Sequence, residues 1–173
     1  MSTTLNDILT RRSVRKYKSD MVPEELIQQI TKAGSYAATG MGKQSPIILA
    51  VTNQEIRNQL SKINAQIMGT DSDPFYGAPV VLVVLADKNR PTHVYDGSLV
   101  MGNLMLAAHA LGLGSCWIHR AMETFETEEG KALLRQLGIE GDYEGIGNCI
   151  IGYCDEAKAD AAPRKSDYIH YVK

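Results

Sequence analysis

The chain has 173 residues, a net charge of −2, 44% hydrophobic and 22% charged residues. This balance fits one globular domain with a real core, gives no bias toward nucleic acid, and shows neither repeats nor low-complexity segments. The three cysteines, Cys116, Cys149 and Cys154, are odd in number and set in apolar runs, which reads as reduced thiols in a cytoplasmic protein; the N-terminus has no signal-peptide pattern, and no apolar run reaches membrane length.

In chain order, Leu5, Ile8 and Leu9 recur at helical spacing behind Thr3 and Thr4 and predict a short amphipathic helix. Arg11 to Lys18 then places five cations in eight positions. Pro23 with Glu24 and Glu25 marks a second helix start, because proline suits the first helical position and acids suit the positive end of the dipole. Leu26, Ile27, Ile30 and Ala33 give that helix an inner face. Ala37 to Pro46 is a loop, Ile47 to Val51 a strand, and Asn53 the cap of a helix over Glu55 to Ala65 with Ile56, Leu60 and Ile63 inward. Gly69 to Pro79 is irregular. Val80 to Leu85 is apolar at successive positions and predicts a strand buried on both faces.

A polar loop, Asp87 to His93, leads into the stretch around which the chain is organised. Leu99, Val100, Met101, Leu104, Met105, Leu106, Ala107, Ala108, Ala110 and Leu111 go nearly all the way round a helix, which predicts burial on every side. Asp96 or Ser98 would cap its start, and Gly112 or Gly114 its end. Its small residues would admit another helix closely, from the same chain or from a second subunit. Ser115 to Ile118 follows as a buried strand. Thr127 to Glu129 starts a further helix with Leu133, Leu134 and Leu137 inward and Gly138 at its end; Gly147 to Tyr153 is a fourth strand. In the polar tail from 157 to 173, Tyr168, Ile169, Tyr171 and Val172 call for a surface to lie on, which a partner subunit could supply. Helices alternating with four strands suggest, on pattern alone, a parallel α/β sheet. Neither a Gly-x-Gly-x-x-Gly turn nor a Gly-Lys-Ser/Thr phosphate loop is present.

Arg11, Arg12 and Arg15 are close enough to hold a phosphate with their planar donor forks, or else form a solvated patch that complements the first helix. Arg164 and Lys165 would strengthen a phosphate site if the fold brought them to the same place. Cys116 and His119 lie three apart, yet a thiol in a buried-strand pattern is inert, and no spacing supports zinc. His109 reads as a hydrogen-bonded core or interface histidine. No Gly-x-Ser-x-Gly elbow occurs, and the acid pairs fall at helix starts, so no side chain is assigned as catalytic and a cofactor would supply the reactive group.

Several stretches together resemble the nitroreductase family of FMN-dependent oxidoreductases. Arg11-Arg12-Ser13-Val14-Arg15-Lys16-Tyr17 is similar to the family's Arg-[Arg/His]-Ser-x-[Arg/Lys]-x-[Phe/Tyr] signature. Thr39 to Pro46 resembles its Ser-Gly-x-Asn-x-Gln-Pro loop. Asp73 to Pro79, Gly102 to His109, Gly112 to Arg120 and Ala162 to Lys165 resemble a small-subunit branch of that family.

The resemblance implies an α+β fold over residues 1–173 as a single domain, with a central mixed, largely antiparallel sheet flanked by helices, in an intertwined homodimer with FMN at the interface. It implies NADH or NADPH as electron donor and an electron-poor small-molecule acceptor such as a nitroaromatic or quinone, with hydride passing through flavin N5; no nucleic acid and no membrane is involved. By the same resemblance, Arg11, Arg12, Ser13 and Arg15 touch the phosphate, the ribityl chain and the N1/C2 edge. Arg164 and Lys165 join the phosphate, Ala38 and Thr39 approach the flavin from the partner chain, Trp117 and Ile118 line its ring, and Asn64 meets the pyrimidine edge. Phe75 and Tyr76 either border the pocket or pack beside the following strand. Two departures stand out: Gly42 replaces the family's usual Asn, and an adjacent Arg164-Lys165 replaces its Lys-x-Arg. The rival readings are a flavoenzyme with another substrate, such as a dehalogenase, and a flavin- or phosphate-binding protein without turnover.

Overall fold

The computed structural model describes residues 2–157 and 159–173. Its helices are α1 (Thr3–Thr10), α2 (Glu24–Ser35), α3 (Gln54–Met68), α4 (His93–Ala110), α5 (Ala121–Glu126) and α6 (Glu128–Gln136). The strands are β1 (Pro46–Val51), β2 (Val80–Asp87), β3 (Gly114–Ile118) and β4 (Tyr143–Gly152), paired in the order β1-β2-β4-β3. Every pair in the sheet is antiparallel, so the largely antiparallel α+β expectation holds and the parallel sheet suggested by pattern alone does not. Among the described residues, a parallel contact occurs at the isolated bridge between Ser13 and Ser115.

Burial on both faces comes from helices on both sides of the sheet. Val80, Leu82 and Val84 join Ile27 and Ile30 of α2 and Val100, Met101 and Leu104 of α4 in one core cluster. Val81, Val83 and Leu85 join Leu60 of α3, Phe125 of α5 and Leu133 of α6 in the other. Residues Val80 to Ala86 are all 0% exposed. At roughly 1.5–3 kcal/mol for each Val or Leu side chain fully removed from water, β2 ties the two layers together. Ile146 falls out of register where Val84 pairs with Gly147 and Leu85 with Gly145, a bulge in β4.

Local signals set several boundaries. The Asn53 side chain accepts from Ile56 N–H at 3.0 Å and opens α3. Thr127 accepts from Gly130 N–H at 3.0 Å and opens α6, which ends before Gly138 at φ 71°. Pro23 stands at the N-cap of α2, one place outside the expected position. The start of α4 differs more: the helix begins at His93, behind Thr92, and Asp96 lies inside it. The Asp96 carboxylate instead accepts from Gly40 N–H at 2.9 Å, Ser45 Oγ at 2.9 Å and Thr92 Oγ1 at 3.1 Å, tying the 40–45 loop to the helix. These hydrogen bonds hold its pKa below the ordinary carboxylate value even though burial, the largest single influence, pushes it up.

Within the chain α4 is buried on one side only. Val94, Tyr95 and Leu99 remain exposed, as do Leu5, Ile8 and Leu9 of α1 and the tail residues Tyr168, Ile169, Tyr171 and Val172. Helix α5 has no counterpart in the sequence reading. It lies so close to β4 that a Cβ on Gly145 would come within 2.2 Å of the Ala121 carbonyl oxygen.

Candidate functional site

The basic segment after α1 is held along the free edge of β3. Val14 N–H donates to Ser115 O at 3.0 Å, Lys18 N–H to Tyr153 O at 2.9 Å, and Asp155 N–H to Lys16 O at 2.9 Å. Val14 and Tyr17 point inward, and Tyr17 donates to Val14 O at 2.7 Å. Burial, the main cause, raises the pKa of the Tyr17 phenol, so the residue is a neutral strut. Arg11 and Arg12 lie half-buried beside the edge, whereas Ser13 and Arg15 face outward.

Two clefts meet at Arg15. One, of about 210 Å³, is lined by Arg12, Ser13, Arg15 and the chain around Glu156. The other, also about 210 Å³, is lined by Arg15, Tyr76, Trp117, Ile118, His119 and Arg120 among others. Arg12 Nη1 donates to Leu9 O at 2.8 Å and to Arg11 O at 2.7 Å, which fixes its guanidinium. Among the described residues, Arg11 Nη1, Arg12 Nε and Trp117 Nε1 are buried with no hydrogen-bond partner. Arg12 lines the first cleft, and a buried guanidinium nitrogen without an acceptor there suits an anionic group such as a phosphate.

The floor of the second cleft is the end of β3 and the bend after it. Trp117 lies over β4 at Gly147, where a Cβ would come within 2.5 Å of the indole nitrogen. Asn64 is fully buried: its Nδ2 donates to His119 O at 2.8 Å, and its Oδ1 accepts from Arg120 Nε at 2.9 Å. Asn64 therefore braces the bend from beneath. The expectation that it meets a ligand edge gives way to a positioning role, since both ends of its amide are engaged within the chain. Asn148 reaches the same bend, with Nδ2 donating to Ile118 O and His119 O at 3.4 Å each. A lone asparagine in the apolar run of β4 is the signal that would have found it.

The cleft wall is the loop before β2. Asp73 Oδ1 accepts from Ser61 Oγ at 2.5 Å and Phe75 N–H at 2.9 Å, and Oδ2 accepts from Gly77 N–H at 2.7 Å and from Arg57 Nη2 at 2.5 Å. Arg57 is buried, donates from Nε to Ala78 O at 3.0 Å, and its guanidinium carbon lies 5.4 Å from the Phe75 ring centre. Burial is the largest influence on Asp73 and raises its pKa, but the four hydrogen bonds together hold it below the usual carboxylate value. Of the two aromatics in question, Phe75 is fully buried packing, while Tyr76 is exposed at the cleft with φ 53°.

The other expected residues stand apart within one chain. Ala38 is exposed and Thr39 half-buried, just before a 3₁₀ turn at Gly40–Gly42. Arg164 and Lys165 lie in the exposed tail: Arg164 donates to Ala162 O, and Lys165 Nζ stands 5.9 Å from the Tyr168 ring centre. Among the described residues no hydrogen bond joins them to Arg11, Arg12 or Arg15. Cys116 and Cys149 are buried, and burial pushes the Cys149 thiol up to about 12, so it is not a nucleophile near neutral pH. His109 Nε2 is 2.9 Å from Thr10 Oγ1, joining α4 to α1. Among the described residues no group of three or more His, Cys, Asp or Glu side chains is placed to hold a metal ion.

A family model described as "Nitroreductase family" matches residues 8–71 and 65–153. A Methanothermobacter thermautotrophicus protein, provisionally named NADH dehydrogenase/NAD(P)H nitroreductase, is 33% identical over 122 residues, 65% of this chain and 59% of that protein. An NADPH-flavin oxidoreductase of Vibrio harveyi is 30% identical over 129 residues, 68% of this chain and 54% of its own. The matched stretches thus span little more than half the length of these two relatives. An FMN-bound nitroreductase structure from Bacteroides fragilis superposes with a TM-score of 0.88 at 27% identity, covering 100% of both chains. One from Desulfitobacterium hafniense gives 0.89 at 26% identity, again over 100% of both.

Proposed function

Since the chain belongs to the nitroreductase family, we propose that it is an FMN-dependent oxidoreductase that takes electrons from NADH or NADPH and delivers them to an electron-poor small molecule such as a nitroaromatic or a quinone. The observation that carries this reading is the buried Arg12 Nε, unpartnered among the described residues, in the lining of a cleft that meets at Arg15 a second cleft floored by Trp117 and Ile118. When bound there, FMN supplies the hydride-accepting and hydride-donating centre that no side chain offers.

The residues divide that work by chemistry. Arg11, Arg12 and Ser13 hold the phosphate and the polar chain leading to it, with charge-assisted hydrogen bonds. Arg15, where the two clefts meet, would hold a cation near the flavin's N1/C2 edge and would favour negative charge there. Trp117 and Ile118 form an apolar floor that excludes water from one side. Asn64 and Asn148 keep the bend at 118–120 in place, so that its backbone faces the cleft in a fixed direction.

The working form in this reading is a homodimer, with residues 1–173 as a single cofactor-binding domain. Its support is the apolar surface left open on α1 and α4, together with a tail in which Tyr168, Ile169, Tyr171 and Val172 are exposed. A second subunit would cover that surface, bring Ala38 and Thr39 to the neighbouring cleft, and let Arg164 and Lys165 reach a phosphate. No helix among the described residues is long and apolar enough to cross a membrane. With three cysteines, few and odd in number, that fits a place in the cytoplasm.

The test is an absorption spectrum of the purified protein, taken again after NADH or NADPH is added without oxygen. A flavin spectrum that bleaches, and returns when a nitroaromatic or quinone is added, is the expected result. Absence of flavin after reconstitution with FMN would remove this reading. Sedimentation of the same sample tests the dimer.

A further inference from the structure

Arg120 has no task in the handling of FMN described above, yet the chain holds it firmly. It sits at φ 70° and ψ 17°, a left-handed conformation that a residue with a Cβ seldom adopts. Its Nε is tethered at 2.9 Å to Oδ1 of the fully buried Asn64, and Asn64 is itself fixed by His119 O. The terminal nitrogens Nη1 and Nη2 make no hydrogen bond among the described residues, and the side chain lines the cleft. An arginine anchored at Nε keeps its outer fork free and has already lost part of its rotamer freedom, which lowers the cost of closing that fork on a planar anion.

The charge around it is one-sided. Asp73 is the single carboxylate in the lining of this cleft, and its oxygens are taken by Arg57, Ser61 and two backbone N–H groups. Arg15 adds a second cation, which the cofactor reading assigns to the flavin. A chain with net charge −2 thus keeps an uncompensated guanidinium in its cleft.

We propose that Arg120 is a specificity-determining residue that receives a carboxylate or phosphate group carried by the small molecule docking in this cleft. The inference rests on the oxidoreductase reading for its kinetic consequence but not for binding itself. Such a group has two possible sources: an anionic substituent on the electron acceptor, or the 2′-phosphate that distinguishes NADPH from NADH.

The test uses the flavin-loaded protein with Arg120→Gln, Arg120→Lys and Arg120→Gly. The glycine variant removes the guanidinium and relieves the left-handed backbone but also takes the donor from Asn64 Oδ1, whereas glutamine keeps an N–H₂ donor, so agreement between the two separates loss of the charge from loss of the brace. Calorimetric titration with benzoate and with its neutral counterpart benzamide reads binding without turnover. The wild type should prefer benzoate, the Gln and Gly variants should lose roughly tenfold of that preference, and Lys should restore part of it. Two ratios of kcat/KM then separate the sources: 4-nitrobenzoate over 4-nitrobenzamide, and NADPH over NADH. A fall in the first alone assigns the anion to the acceptor, and a fall in the second alone assigns it to the donor. A wild type with no preference for the anionic member of any pair overturns the proposal, as do unchanged benzoate preference and unchanged ratios in the Gln and Gly variants at normal flavin content. A protein that takes up no FMN defeats the oxidoreductase reading instead, and the benzoate titration still decides the role of Arg120.

Discussion

Asp73→Asn removes the counter-charge of a buried arginine while keeping the size of the side chain. In the wild type, the Asp73 oxygens accept from four donors: Arg57, Ser61, Phe75 N–H and Gly77 N–H. The amide retains one acceptor oxygen and puts an N–H₂ where two of those donors point. Removing one member of a fully buried pair costs about 3–5 kcal/mol. Asp73 is the outer member, with 34% of its side chain exposed against 6% for Arg57, so solvent offsets part of that cost. We expect a loss of about 2–3 kcal/mol. At about 2–4 °C per kcal/mol for a chain of this size, Tm falls by roughly 4–12 °C. The assay is thermal unfolding at fixed protein and FMN concentration, followed by circular dichroism, with Arg57→Met and the double variant completing a cycle. A drop of less than about 2 °C for Asp73→Asn, or strictly additive effects in the cycle, would refute the claim that this ion pair holds the 73–79 loop.

Acid sensitivity follows from the same groups. Asp73 and Asp96 both have folded-state pKa values below the ordinary 3.8, so the unfolded chain binds more protons as pH falls past that value. Their contribution to stability is complete above about pH 5 and is lost as pH falls through and below 3.8; Asp73→Asn flattens that slope in pH-dependent unfolding. Asp96→Ala strips the acceptor from Gly40 N–H, Ser45 and Thr92 and costs about 1–3 kcal/mol, and amide exchange should speed up in residues 40–45 before the rest of the molecule. Gly147→Ala sets a Cβ within 2.5 Å of the indole nitrogen of Trp117 and displaces the sole tryptophan, read as a shift in fluorescence emission and lowered FMN occupancy. Removing residues 159–173 deletes Arg164, Lys165 and the apolar tail, and should weaken both FMN retention and self-association, measured by flavin content and sedimentation.

The parts of the fold that could be read in advance are those where local chemistry decides. Asn53 and Thr127 cap helices because their side chains reach backbone N–H groups three residues on. The apolar run of β2 is a buried strand whatever its neighbours do. Strand direction was not legible, because burial on both faces follows equally from a parallel sheet and from an antiparallel one between helical layers. Asp96 has the residue type of a helix cap, but its partners Gly40 and Ser45 lie more than fifty positions away, so only the folded chain reveals its use. Helix α5 is a six-residue element with little periodicity to detect.

The cleft shows the same division. The arginine-rich stretch, Trp117 and Ile118 could be found from residue type and order. The supporting groups could not: Arg57 meets Asp73 across sixteen residues, and Asn64 meets Arg120 across fifty-six. An ion pair or amide bridge of that span leaves no periodic trace. Asn64 shares the inner face of α3 with buried Arg57 and Ser61 as well as Leu60 and Ile63, and its role is to brace the bend from below.

The left-handed backbone at Arg120 has an implication for how this chain would respond to selection. Glycine adopts that conformation freely, whereas a residue with a Cβ gives up about 1 kcal/mol there. Arg120→Gly relieves that strain but leaves the buried Asn64 Oδ1 without its donor, at a cost of about 1–3 kcal/mol, so even a library screened only for heat resistance should keep the arginine. Tyr76, at φ 53° in the lining of the same cleft, carries the same strain on an exposed side chain and is the position such a library should change to glycine. Robustness and selectivity thus pull apart at Tyr76 and not at Arg120, and a lineage that moved to hotter conditions would be expected to reshape that side of the cleft first.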